Sequence, residues 1–174
     1  MSQAEQRPFK PLNIAVLTVS DSRTLAEDRS GDLLVERLEG AGHHLFDRQI
    51  QPDDIYRIRA AVSQWIAAPD CDAVITTGGT GLTGRDGTPE AVSVLFDKTI
   101  DGFGETFRAI SFQQIGSSTL QSRATAGVAN RTYCFVLPGS TGACRDAWDN
   151  LIEAQLDYRT RPCNLVELMP RLNE

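Results

Sequence analysis

Three short runs constrain this chain most, because each is apolar along nearly its whole length rather than at every second position. Leu12 to Val19 reads LNIAVLTV, Cys71 to Thr77 reads CDAVITT, and Thr132 to Leu137 reads TYCFVL. A strand with one face in water alternates apolar and polar residues. A strand without that alternation needs cover on both faces, as inside a parallel sheet. The intervening stretches have helical spacing. Leu33, Leu34 and Leu38 mark a helix that Ser30 can cap and that ends near Gly40 and Gly42. Pro52, Asp53 and Asp54 open a second, with Ile55, Ile58, Val62 and Ile66 on its apolar face. Thr88 can cap a third, with Pro89 at its first position. His44 to Ile50 reads as a weaker strand. Phe103, Phe107, Ile110 and Phe112 have helical spacing, and Ala143, Ala147, Leu151, Ile152 and Leu156 mark a last amphipathic helix. Leu120 to Asn130 is small, polar and irregular, and Asn130-Arg131 can turn the chain into the strand that follows. Strands alternating with helices predict an α/β fold, a mostly parallel sheet with helices on both faces.

Ligands of such sheets bind beyond the carboxyl ends of the strands. Three polar strand exits occupy that edge: Ser20, Asp21 and Ser22; Thr76 to Asp86; and Pro138 to Gly142. The second is the most informative. Thr76, Thr77, Gly78, Gly79, Thr80 and Gly81 leave a buried strand, and Gly84 follows. Glycines let backbone N–H groups approach an anion closely, and threonine hydroxyls add donors. A tight turn needs fewer glycines than this, so the loop is expected to hold a phosphate-bearing molecule. Gly79, Gly81 and Gly84 match the dinucleotide fingerprint in spacing, but the helix signal comes only at Thr88-Pro89, too late for that motif. A Walker loop would need Lys and Ser or Thr where Arg85 and Asp86 stand. Asp86 beside an anion site makes sense if Mg²⁺ bridges carboxylate and phosphate. Otherwise it helps cap the helix or pairs with Arg85. Asp53 and Asp54 are equally good N-caps. Ser140 or Thr141 can cap the last helix, whose N-terminus offers a second anion site.

The net charge of −6 argues against a nucleic-acid partner. No apolar run approaches the ~20 residues of a membrane helix, and the polar start lacks a signal core, so the cytoplasm is the expected compartment. The cysteines at 71, 134, 144 and 163 form no C-x-x-C pair, and adjacent His43 and His44 lack ligand spacing. Reduced, partly buried thiols are expected. One domain over 12–160 is expected, with a loosely ordered arm over 1–11 and an extended tail over 161–174.

These segments together resemble the MoaB/MogA family of molybdenum-cofactor biosynthesis proteins, and most closely its bacterial MoaB branch. The resemblance runs from about Leu12 to Pro162. It is carried by TVSDSR from Thr18, TTGGTG from Thr76, RDGTPEA from Arg85, GFGETFR from Gly102, STLQSRATAGVANRT from Ser118, LPGSTGACR from Leu137 and TRPCN from Thr160. It implies a three-layer α/β/α fold that assembles as a homotrimer or homohexamer. It implies binding of molybdopterin and its adenylylation with Mg²⁺ and ATP, giving adenylylated molybdopterin and pyrophosphate. By the same resemblance Asp53 and Asp86 are catalytic and hold the metal. Thr76 to Gly81 would hold phosphates, and Pro138, Gly139 and Ser140 would face the pterin phosphate. A non-catalytic carrier of molybdopterin or a precursor in the same pathway is the alternative.

Overall fold

The computed structural model describes residues 7–174. Six strands form one sheet in the order β2-β1-β3-β6-β5-β4. They are β1 (Asn13–Val19), β2 (His44–Gln51), β3 (Ala73–Thr77), β4 (Lys98–Thr99), β5 (Thr125–Ala129) and β6 (Thr132–Leu137). The four strands β2, β1, β3 and β6 run parallel, and β5 and β4 pair antiparallel at the edge. The apolar runs lie at the centre, as their lack of alternation requires.

Helices α1 (Arg29–Gly40), α4 (Asp101–Ile115) and α5 (Thr141–Ala147) lie with a core of Ile14, Val16, Ile75, Phe135 and Leu137. Helices α2 (Ile55–Ala67) and α3 (Thr88–Ser93) lie with a second core of Ala15, Leu17, Val19, Val74 and Val136. Successive residues of each buried strand thus enter opposite cores, which makes three layers. Beyond α5 the helix passes through a π turn over Trp148–Ile152 into α6 (Glu153–Gln155).

Several elements differ from the sequence reading. Helix α1 is capped by Asp28, whose Oδ1 accepts from the Gly31 N–H at 2.9 Å, and not by Ser30. Ser30 lies inside the helix and donates to the Gly139 carbonyl at 2.9 Å. Gly87 takes the N-cap position of α3, so the Thr88 hydroxyl caps nothing. The irregular stretch before Asn130 contains β5, joined to β6 by a two-residue hairpin with positive φ at Asn130 and Arg131 (45° and 71°). That is the backbone a tight hairpin demands, because its twist matches the strands. The tail is not extended throughout. Asn164 caps a helical turn, α7 (Leu165–Leu168), that buries Val166 against the first core. The part of the N-terminal arm that is described is tied down. Arg7 makes an ion pair with Glu167 at 2.7 Å, and the Lys10 ammonium sits 3.7 Å from the Tyr158 ring centre.

Candidate functional site

Register brings the strand exits together. Thr77 pairs with Thr18 on one side and Leu137 on the other, while Val19 pairs with Gln51. The four parallel strands therefore end at one edge. The glycine loop crosses it with two residues in the left-handed region, Gly78 at φ 100° and Gly79 at φ 64°. A Cβ on Gly78 would lie 2.3 Å from the Val19 carbonyl oxygen, so no side chain fits there. A Cβ on Gly139 would lie 3.2 Å from Gly78 Cα, so at these two glycines the β3 and β6 exits pack backbone against backbone.

Asp53 and Asp86 are both half-buried and both lean on this loop. The position of a Gly79 Cβ is 2.8 Å from Asp53 Oδ1 and 2.4 Å from Thr88 Oγ1. That of a Gly81 Cβ is 2.6 Å from Asp86 Oδ2. The adjacent aspartates after β2 have separated roles. Asp54 caps α2 by accepting from the Tyr56 and Arg57 N–H groups, at 2.9 and 3.0 Å. Asp53 is left free to face the loop. Burial raises its pKa, and the neighbouring carboxylates of Asp21 and Asp86 raise it further. Asp86 is held below the ordinary value, first by the Thr83 hydroxyl donating to its Oδ2. It neither caps α3 nor pairs with Arg85.

Arg85 instead forks onto Asp21, Nε to Oδ2 at 2.8 Å and Nη2 to Oδ1 at 2.9 Å. The Asp53 N–H adds a third bond to Asp21 Oδ1 at 3.0 Å. These contacts, that of Arg85 first, hold the Asp21 carboxyl below its ordinary pKa. Ser20 Oγ accepts from the N–H of Ser22 and Arg23, closing the turn after β1.

A model described as a probable molybdopterin binding domain matches residues 15–158. Molybdenum cofactor biosynthesis protein B of Escherichia coli K12 is 56% identical over 164 residues, covering 94% of this chain and 96% of that protein. The chain belongs to the MoaB family of molybdenum cofactor biosynthesis proteins. The Bacillus subtilis MoaB is 42% identical, covering 92% of this chain and 96% of its own. A crystal structure of a molybdenum cofactor biosynthesis protein B superposes with a TM-score of 0.84 at 46% identity, over 86% of this chain and 94% of that one. The tungsten cofactor synthesizing MoaB from Pyrococcus furiosus superposes at 0.73 with 40% identity, over 80% and 89%. The three-layer α/β/α architecture is that of MoaB structures.

Within this MoaB chain, some expected donors are already engaged. The Thr76 hydroxyl points to the Phe135 carbonyl at 3.4 Å, and the Thr77 hydroxyl donates to the Pro138 carbonyl at 2.9 Å. Both residues are fully buried, so they tie β3 to β6 rather than facing outward. Ser140 caps α5 by accepting from the Ala143 N–H at 3.1 Å. The residue that pattern reading passed over is Arg123. Its Nε donates to the carbonyls of Thr80 and Gly81 at 3.1 and 3.0 Å, its Nη2 to the Asp86 carbonyl at 3.1 Å, and its Nη1 to Glu90. One guanidinium thus fastens the glycine loop, Asp86 and α3. It lies just before β5, in a segment without periodicity, so only its contacts reveal it.

Proposed function

We propose that this chain binds molybdopterin in the cytoplasm and adenylylates it with Mg²⁺-ATP. The observation that carries the reading is the seating of Asp53 and Asp86 against one glycine loop, with Asp53 destabilised as an anion first by burial and then by the carboxylates of Asp21 and Asp86. Like charges held close are relieved by a divalent cation, and Mg²⁺ is commonly held by one or two carboxylates together with substrate phosphates. The residues fit such an ion. Two half-buried carboxylates supply oxygen, and the Thr88 hydroxyl beside Asp53 is buried with no hydrogen-bond partner. Asp53 and Asp86 would hold it, and when bound it neutralises charge on the transferring phosphates.

The protein's own share is positioning and charge. In the reaction the terminal phosphate oxygen of molybdopterin bonds to the α-phosphorus of ATP, and the bond to the pyrophosphate leaving group breaks. No side chain need act as nucleophile. Arg123 keeps the loop in place, Arg85 offers a planar donor fork, and the backbone of the β3 and β6 exits meets the phosphates. Assembly as a trimer or hexamer is part of the same reading.

The test is incubation of purified protein with molybdopterin, ATP and Mg²⁺, following pyrophosphate and adenylylated product. Product should form with wild type. Asp86→Asn should retain molybdopterin and lose turnover at least a hundredfold, about 2.7 kcal/mol of barrier. Wild-type turnover in Asp86→Asn would remove the role given to that residue. Tight molybdopterin binding without product would leave a carrier in the same pathway.

A further inference from the structure

We propose that Arg85 and the Asp53 N–H form a phosphate subsite that the Asp21 carboxylate fills from within until a ligand's phosphate displaces it. This rests on the reading that the sheet edge binds a phosphate-bearing molecule. The three partners come from three strand exits: Asp21 follows β1, Asp53 follows β2 and Arg85 belongs to the loop after β3. Asp21 receives three donors, the bidentate guanidinium at 2.8 and 2.9 Å and the backbone N–H at 3.0 Å. A guanidinium fork recognises the two-oxygen edge of a carboxylate and of a phosphate alike. Whatever satisfies Asp21 here suits a phosphate with one more oxygen and more charge.

The pair is also built to exchange. Its side chains are 66% and 45% exposed, whereas Asp28 in the Arg48–Asp28 pair of the same molecule is fully buried. Exposed ion pairs are weak and release their partners at little cost, while buried ones do not. Asp21 sits in the turn Ser20–Ser22, closed by Ser20 rather than by Asp21 itself, so the carboxylate can leave without undoing the turn. Asp21 then acts as a resident mimic that keeps Arg85 aimed at the edge and must give way when the site fills.

The decisive experiment titrates ATP with Mg²⁺ by calorimetry into wild type, Asp21→Asn, Arg85→Gln and the double variant, with thermal melts as the check on folding. Asp21→Asn should tighten binding about three- to fivefold, the strength of an exposed pair. Asp21→Ala, which removes the remaining acceptor, should tighten it at least as much. Arg85→Gln should weaken binding, and the double variant should be no tighter than Arg85→Gln. Unchanged or weaker binding in Asp21→Asn overturns the inference and leaves the site reading standing. An equal gain in the Arg85→Gln background also overturns it, because the gain would then be general charge. Failure of wild type and every variant to bind ATP overturns the phosphate-binding reading itself, and the subsite with it.

Discussion

Thr88 carries a hydroxyl that is fully buried and has no hydrogen-bond partner. A buried, unsatisfied hydroxyl costs about 1–3 kcal/mol, so removing it while keeping the shape relieves that cost. Thr88→Val should therefore leave the urea midpoint unchanged or raise it, and should weaken Mg²⁺-dependent ATP binding about two- to tenfold. A loss of stability beyond about 1 kcal/mol would show that the hydroxyl has a partner. Gly79→Ala should behave oppositely. A methyl group there meets Thr88 and Asp53 on a backbone at φ 64°, and about 1–3 kcal/mol of stability should be lost on denaturation. Mg²⁺ affinity should also fall on acidification at a higher pH than an ordinary aspartate would impose, because the Asp53 pKa is raised and the protonated form cannot ligate. Much of this site is legible in the residues: the glycines announce a loop with unusual backbone, and two acids flank it. What stays hidden is which of Asp53 and Asp54 caps. Both have the right chemistry, and the choice depends on extended backbone at Asp54 (φ −130°, ψ 117°). Arg123 is hidden for a related reason, since its partners are carbonyls, which every residue has.

Among the elements, α1 hangs on one buried group. Asp28, itself at zero exposure, caps the helix, accepts from the Thr18 hydroxyl at 2.7 Å and pairs with Arg48 at 2.9 Å. Asp28→Ala should remove about 1–3 kcal/mol in chemical denaturation, through the lost helix cap and the lost Thr18 hydrogen bond, because Arg48 keeps Asp32 at 2.8 Å. A loss below about 0.5 kcal/mol would show that the cap and the Thr18 bond are replaced in the variant. The strands β1, β3 and β6 are visible in the sequence because burial on both faces leaves a compositional mark. The antiparallel strands β4 and β5 leave little. Lys98–Thr99 is too short for any period, and TAGVA in β5 is built of small residues. Helix α7 is hidden because a single turn has room for only one buried anchor, Val166. Ser30 was the natural cap by residue type, but Asp28 stands two residues earlier with the backbone needed to accept from Gly31.

On the scale of the whole molecule, His43 sits where the N-terminal segment meets the first core, its Nδ1 accepting from the Leu12 N–H at 3.1 Å and its ring between Phe9 and Trp148. Burial lowers its pKa from the ordinary 6.5. The unfolded chain therefore takes up a proton as pH falls through about 6.5, and the native state does not until pH falls further. Stability should decline across that window, the urea midpoint being lower at pH 5.5 than at pH 7.5. The raised carboxyls of Asp53 and Asp72 work in the other direction. The His43→Gln variant isolates the histidine, and its midpoint should change less between the two pH values. An identical change in both proteins would assign the effect elsewhere.

The Arg123 clamp has a consequence for motion. Residues 80, 81 and 86 are fastened from the segment leading into β5, at the antiparallel edge of the sheet, and not from the central strands that the loop leaves. Edge elements open more readily than core strands, and segments that share their bonds open together. Amide protons of the glycine loop and of the start of β5 should then exchange with solvent deuterium at matched rates, faster than those of β1. Arg123→Ala should uncouple them, accelerating the loop alone. A ligand that settles on the loop would in turn slow exchange at the start of β5, so protection of that strand would report occupancy of the site.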